Sequence, residues 1–478
     1  MDSMHTADEL VSINPATGRQ AGVVPVTHPE QLDAIVDRAW RAFRESGWKD
    51  RLPHRRADVL RAIADRLVAE KETLAQLQMS DNGKPLGECR GMVDSAIGTF
   101  RYYASVVETL ETSLTPPRGD YVCMTVLEPY GVVLAITPWN SPIMNDATKV
   151  APALAAGNAV ILKPSEDAPL LAPELARIAR EAGLPEGLLQ VVQGQGAQLG
   201  AALVAHPGIR MISFTGGTAT GRAIGRVAAE RLIPAALELG GKSPHIVFAD
   251  ANLEHAVAAV VAGIFGSAGQ SCVAGSRLFI EQSIYDDVLQ RVVERTRTIR
   301  VAAPDAPDVE VGPLSSFHHR ERVHAFVERA RQDGGRILCG GEAPTGGIYD
   351  QGAYYLPTVI DGLGPQAYAC QQEAFGPVLV ALPFKDDADL IGQANGTAFG
   401  LGCGIWSENF KRAWRTGRAL DAGSVWVNTY KQSITTTPFG GFKDSGIGRE
   451  KGIDGLKLYA QVKSIYLGLH DQPLKIAK

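Results

Sequence analysis

Between residues 130 and 240 the chain alternates four short apolar runs, at 132–137, 159–163, 189–193 and 210–215, with helix-like stretches. Runs this short, apolar on both sides, suit strands buried on both faces, and amphipathic stretches between them suit the helices that cover those faces. The expectation is therefore a parallel sheet of the nucleotide-binding kind, with its ligand-binding edge where the strands end. A second series runs from 245 to about 427, including SPHIVF, RLFI and the segment 376–383, and predicts a second α/β domain. The first hundred residues read mostly as helix, with apolar residues three and four apart over 31–47 and 57–80. At 478 residues the chain exceeds one ordinary core and suits two or three domains, with Pro116-Pro117 the plainest boundary mark early on.

Hydrophobic residues make up 45% and charged residues 21%, which excludes a disordered, fibrous or membrane-spanning class. A net charge of −5 with scattered Lys and Arg argues against nucleic acid and for a small-molecule substrate. Neither a secretory signal nor a transit peptide is visible, and no apolar stretch is long enough to span a bilayer, so no membrane partner is expected. The six cysteines lie far apart without CxxC pairing, which argues against disulfides and zinc. A cytoplasmic protein without a metal is the expectation, in which a special cysteine is special for its thiolate.

Four constellations could carry chemistry. Gly216-Gly217-Thr218-Ala219-Thr220-Gly221 follows IRMISF and opens a helix-like stretch, so it either turns the chain or turns backbone N–H groups toward a phosphate. The nearby 194–200 run, GQGAQLG, has one residue too many for a dinucleotide fingerprint and reads as a strand-to-helix turn. Gly269-Gln270-Ser271-Cys272 sets a cysteine among small residues, where a substrate carbonyl can approach; inert packing is the alternative. Glu238, flanked by leucines and followed by Gly240-Gly241-Lys242, is either a general base raised by an apolar setting or a turn glutamate. Asn140, ending GVVLAITPWN, could donate to an oxyanion or cap a helix.

Taken together and in order, ITPWN, ILKPSE, ISFTGGTATG, LELGGKSP, GQSC, QEAFGPV and PFGGFKDSGIGRE resemble the aldehyde dehydrogenase superfamily, over nearly the whole chain. The resemblance implies an NAD(P)-dependent, non-acylating oxidation of an aldehyde to a carboxylic acid. Cys272 would be the nucleophile, Glu238 the base that activates water on the thioester, and Asn140 an oxyanion donor. Cofactor contacts would come from Lys163 and Glu166 at the adenosine ribose, Gly216, Thr218 and Gly221 at the pyrophosphate, and Glu373 and Phe375 at the nicotinamide ribose. Lys149 and Glu450 match positions tied to proton movement. NAD is expected over NADP, because a charged Glu166 would repel a 2′-phosphate. Activation of the Cys272 thiol by its surroundings and by cofactor is also expected.

The implied fold is α/β and aldehyde dehydrogenase-like: a Rossmann-like nucleotide-binding domain from 1–109 and 130–240, an α/β catalytic domain over 241–450, and a β oligomerisation arm from 110–129 and 451–478. Extended patterns in YVCMTVLEP and SIYLGL suggest strands that pair between subunits, hence a homodimer or homotetramer. The chain departs from many relatives with Ser141 and Met144-Asn145-Asp146 after Asn140, and with Lys431, Gln432, Ser433 and threonines before Pro438. Both changes make the tunnel more polar and favour a small or oxygenated aldehyde, including an anionic semialdehyde that Lys431 would attract. The rival readings are a coenzyme A-dependent acylating enzyme, which needs no carboxylate base, and a non-catalytic binding protein on the same fold.

Overall fold

The computed structural model describes residues 8–471, and the outermost parts of the expected nucleotide-binding and arm segments, 1–7 and 472–478, lie outside the described residues. The four apolar runs, joined by Ala235–Glu238, become a sheet in which Leu189–Val191, Ala159–Lys163, Val132–Ile136, Met211–Thr215 and Ala235–Glu238 lie side by side, all parallel. Gly446–Ile447 adds an antiparallel strand beyond Ala235–Glu238. The chain builds outward from Val132–Ile136 on one side, then returns to its other flank with Met211–Thr215. That reversal opens a crevice at the carboxyl ends of the strands, the place where such sheets receive ligands.

Burial on both faces explains the composition of these strands. Val132, Val133, Leu134 and Ala135 are fully buried, as are Ala159 through Leu162. Helices Pro142–Ala155, Leu171–Glu181 and Thr218–Glu230 connect the strands, and Leu32–Glu45, Pro53–Ala69 and Leu86–Thr109 pack residues into the same core. Pro142 sits in the first turn of its helix, where a missing N–H leaves no hydrogen bond unmade.

The helix expected over 57–80 is two helices, Pro53–Ala69 and Lys71–Asn82. Glu70 breaks the run at φ −102° and ψ 9°, and its carboxylate pairs with Arg177 of the helix Leu171–Glu181. The periodicity gave no sign of the break because both helices bury leucines, Leu67 and Leu74, in one core.

The second series forms a seven-stranded sheet in the order Arg336–Cys339, Thr358–Asp361, Val378–Phe384, Arg277–Glu281, Pro244–Val247, Gly402–Trp406, Ser424–Val427. All neighbours are parallel except the first pair. It has its own apolar cluster, drawn mainly from residues 246–420, whereas the cluster around the first sheet takes residues 10–239 together with Leu456 and Tyr459.

Tyr121–Pro129 and Ala460–Gly468 pair antiparallel with each other over nine residues, flanked by Leu114–Thr115. The two extended segments therefore meet within one chain. The outer edge of Ala460–Gly468 carries no strand among the described residues, and Val462 and Tyr466 are 67% and 65% exposed.

Candidate active site

Three strand ends of the first sheet bring the expected residues to one edge. Lys163 ends Ala159–Lys163, Glu238 ends Ala235–Glu238, and Asn140 lies in the turn between Val132–Ile136 and the helix that begins at Pro142. Strand spacing puts Lys163 and Glu238 about 14 Å apart across this edge, a span for an extended ligand and too far for one reacting centre.

The Glu238 carboxyl is 4% exposed, and its Oε2 has no hydrogen-bond partner. Burial, then the Glu450 carboxylate, pushes it well above the ordinary carboxylate range, against Lys149, Arg449 and Lys451. Beside it, Lys149 Nζ donates to Glu450 Oε1 at 2.5 Å and to Ser213 Oγ at 3.1 Å, and Tyr459 Oη donates to Ser213 Oγ at 2.9 Å. Lys149 and Glu450, 301 residues apart, are thus one buried ion pair. Ser213 and Tyr459, which complete the network, carry no motif of their own, so nothing in the sequence singles them out.

Cys272 follows a backbone that only tertiary contacts could hold. After the helix Leu253–Phe265, Ser267, Ala268 and Gly269 take φ of 59°, 52° and 72°. A Cβ on Gly269 would lie 2.0 Å from Gly376 O, so this position requires glycine. Glu88, from the helix Leu86–Thr109, holds Ser267 by accepting from its backbone N at 2.9 Å and from its Oγ. Asn140 Nδ2 donates to Gln270 O at 3.0 Å, which brings the amide to the cysteine loop and leaves its second N–H without a hydrogen-bond partner among the described residues. Glu88 belongs to no recognisable motif, and its part in shaping the loop emerges only from the fold.

The protein surroundings do not activate the thiol as expected. Burial pushes the Cys272 thiol up to about 12, aided by the Glu373 and Glu238 carboxyls and opposed by the Lys431 and Lys451 ammonium groups. The cause is the enclosure that makes the site useful: taking a thiolate out of water costs more than two lysines return.

The remaining expected residues line the same edge. Lys163 Nζ lies 3.4 Å from Glu166 Oε2, and Glu166 Oε1 accepts from Gly196 N at 3.0 Å. The 194–200 run, expected to be a strand-to-helix turn, turns at Gly194-Gln195 and is already helical over Gly196–Gly200, and Gly196 also holds the Glu166 carboxylate. Burial favours the neutral form of Glu166; the Lys163 ammonium and the Gly196 N–H outweigh it and hold the group below the ordinary range, charged at neutral pH. Gly216 N donates to Glu238 O at 3.0 Å, linking the glycine-rich turn to the strand that carries Glu238. Gly241 N donates to Glu373 Oε1 at 3.0 Å, and burial brings Glu373 up to about 7. Phe375 sits at φ 52°, its carbonyl accepting from His319 Nε2 at 2.8 Å and its ring edge-on to Trp139.

This edge fits a dinucleotide. Helix Thr218–Glu230 starts at Gly217 with no side-chain cap, so its first N–H groups remain for an anion. Space beyond the Gly217 Cα is open, whereas a Cβ on Gly221 would meet Leu239 Cδ2 at 2.3 Å. Glycine is needed at the first for approach and at the second for packing.

Residues 3–465 match the model of the aldehyde dehydrogenase family. The chain belongs to that family. It is 42% identical to the (Z)-2-((N-methylformamido)methylene)-5-hydroxybutyrolactone dehydrogenase of Acinetobacter baylyi, over 98% of this chain and 96% of the relative. It is 41% identical to the phenylacetaldehyde dehydrogenase of Pseudomonas fluorescens, over 96% and 93%. The fold superposes with a TM-score of 0.96 on a betaine aldehyde dehydrogenase of Staphylococcus aureus solved in complex with NAD+, which is 34% identical, over 100% of this chain and 95% of that one. This aldehyde dehydrogenase is an NAD(P)-dependent oxidoreductase that converts an aldehyde to the carboxylic acid.

The raised thiol has a measurable consequence. With no NAD added, iodoacetamide should alkylate Cys272 at neutral pH more slowly than free cysteine. Its rate should keep climbing with pH beyond about 8.5, where a free thiol is half ionised. Peptide mapping by mass spectrometry reads this site alone, and a neutral-pH rate above that of free cysteine would contradict the dominance of burial.

Proposed function

We propose that Cys272 is the nucleophile, Asn140 an oxyanion donor and Glu238 the general base of this aldehyde dehydrogenase. The observation that carries the reading is the Asn140 amide bonded two residues before Cys272, with a buried Glu238 carboxyl oxygen left unpartnered. Cys272, once its thiol proton has passed to solvent water, adds through Sγ to the aldehyde carbon, and the resulting alkoxide is held by an N–H of Asn140 together with the Cys272 backbone N–H. Collapse of that adduct releases hydride and leaves a thioester on Cys272. When bound, the oxidised cofactor supplies a cationic nicotinamide that favours a thiolate and accepts the hydride. Glu238 then takes a proton from water as it attacks the thioester, and the second collapse releases acid and the Cys272 thiolate. Lys149, Glu450, Ser213 and Tyr459 form a route for the proton away from Glu238. Hydrolysis is favoured over transfer to coenzyme A because a base is built into the site.

Lys163 and Glu166 would hold the adenosine ribose, Gly216, Thr218 and Gly221 the pyrophosphate, and Glu373 and Phe375 the nicotinamide ribose. The charged Glu166 supports NAD over NADP. Ser141, Asn145, Ser433 and the threonines before Pro438 support a small or oxygenated aldehyde. We assign 1–109 and 130–240 to nucleotide binding, 241–450 to catalysis and 110–129 with 451–478 to an arm. A homodimer or homotetramer is part of the same proposal, since Ala460–Gly468 and Ser424–Val427 are both edge strands that retain exposed apolar residues. Six unpaired cysteines support a cytoplasmic location.

Glu238→Gln should keep one rapid turnover of NADH per subunit and then slow about 10²–10⁴-fold as acyl-enzyme accumulates, measured by stopped-flow absorbance. Because Glu238 must lose its proton to act, and its pKa lies above the ordinary range, the wild-type steady-state rate should rise with pH above that range and the variant should lose this rise. Asn140→Ala should lower kcat about 10²–10³-fold without a burst. Unchanged steady-state rates in either variant would sink its assigned role. The ratio of kcat/KM with NAD to that with NADP should exceed one and fall in Glu166→Gln; equal efficiencies in the wild type would refute the preference. Sedimentation equilibrium at low micromolar concentration should give a dimer or tetramer, and a monomer would remove the arm's proposed purpose.

A further inference from the structure

Four buried or half-buried lysines, Lys84, Lys149, Lys431 and Lys451, lie around Glu238 and the loop that carries Cys272. Lys84, 2% exposed, lies 3.7 Å from Glu88, so its charge is matched. Lys149 is matched by Glu450. Among the described residues neither Lys431 nor Lys451 forms an ion pair, and both are half-buried. Tyr430 Oη donates to Val273 O at 2.9 Å, which pins the residue before Lys431 to the residue after Cys272. Lys451 Nζ donates to Ser433 Oγ at 2.7 Å and lies 5.4 Å from the centre of the Phe439 ring. Ser433 thereby accepts from an ammonium and keeps its hydroxyl proton to donate.

The Tyr430–Val273 and Lys451–Ser433 hydrogen bonds set the segment 430–433 and Lys451 against the loop that carries Cys272, and both lysines favour its thiolate. The carboxylates that act most on them, Glu88 on Lys431 and Glu450 on Lys451, are each ion-paired with another lysine, Lys84 and Lys149. Burial brings Lys431 down only to about 8, which leaves it mostly charged at neutral pH. Two cations outside any ion pair among the described residues and a hydroxyl donor, beside the loop that carries Cys272, suit an anion.

We propose that the aldehyde this enzyme takes carries a carboxylate at its far end, held between Lys431, Lys451 and Ser433 while Cys272 attacks the carbonyl. This rests on the assignment of Cys272 as nucleophile and names the substrate class for that site: a short ω-oxo acid, oxidised to a dicarboxylate. The same charges disfavour an aldehyde bearing a quaternary ammonium.

The experiment is kcat/KM with NAD for 4-oxobutanoate and 5-oxopentanoate, for butanal and pentanal, and for betaine aldehyde. It is run on the wild type, Lys431→Met, Lys451→Met and the charge-keeping Lys431→Arg and Lys451→Arg. The wild type should prefer the oxo acid over the neutral aldehyde of equal carbon number by at least about tenfold, with betaine aldehyde poorest. Each Met variant should lose about tenfold of that ratio, mainly through KM for the oxo acid, and each Arg variant should recover most of it. A Met variant that does not fold leaves the wild-type ratio and the Arg variants to decide. A wild-type ratio near one, or Met variants that slow every substrate equally through kcat, would overturn the inference by leaving the lysines a role toward the thiol alone. Turnover of neutral aldehydes without anionic preference would bring down this inference and spare the nucleophile assignment; no turnover of any aldehyde by folded protein would bring down both.

Discussion

The carboxyl-terminal edge of the first parallel sheet sets where every other part of the site must go. Parallel strands end on the same side, so the turns after Val132–Ile136, Ala159–Lys163 and Met211–Thr215 open together, and the reversal of strand order between them leaves a crevice. Lys163, Asn140, the Gly216–Gly221 turn and Glu238 share that edge because their strands share a register. The cysteine loop of the second domain has to be brought to it, and the Asn140–Gln270 and Glu88–Ser267 hydrogen bonds are what span the gap.

Enclosure then sets the electrostatics. Taking the site out of water raises Glu238, Glu373 and the Cys272 thiol together, because burial works against the charged form of each. A carboxyl raised in this way is a stronger base once it has lost its proton, and a thiol raised in this way reacts only when something nearby favours its anion. The two behaviours have one cause, and both make the chemistry depend on a filled site. The lysines at 431 and 451 work against this cost at the thiol, while at Glu238 Lys149 opposes it and its partner Glu450 adds to it.

Much of this architecture is legible in the amino-acid sequence. Four strands of the first sheet lie within a residue or two of the apolar runs, because strands buried on both faces need continuous apolar side chains, whereas Ala235–Glu238 and Gly446–Ile447 match none of those runs. The Gly216–Gly221 turn is legible because phosphate approach tolerates few alternatives to glycine. What escapes the sequence is of two kinds. The break at Glu70 is hidden because two helices feeding one core keep one periodicity. Glu88, Ser213, Tyr459 and Gly196 are hidden because each acts by holding another residue, and that service leaves no pattern in its own neighbourhood. Lys431 lies in a polar loop whose position no local pattern reveals, and the Tyr430–Val273 hydrogen bond sets it against the cysteine loop.

The sequence by itself determined the family, the order of strands and helices, and the identity of the groups able to do chemistry, since burial patterns, glycine requirements and reactive side chains are local properties. Only the tertiary structure decided which groups meet and in what protonation state. Glu450 finds Lys149 across 301 residues, the arm strands close on each other within one chain, and the thiol is raised where activation was expected. Contact and desolvation arise from packing between distant segments, and no stretch of sequence carries either one alone.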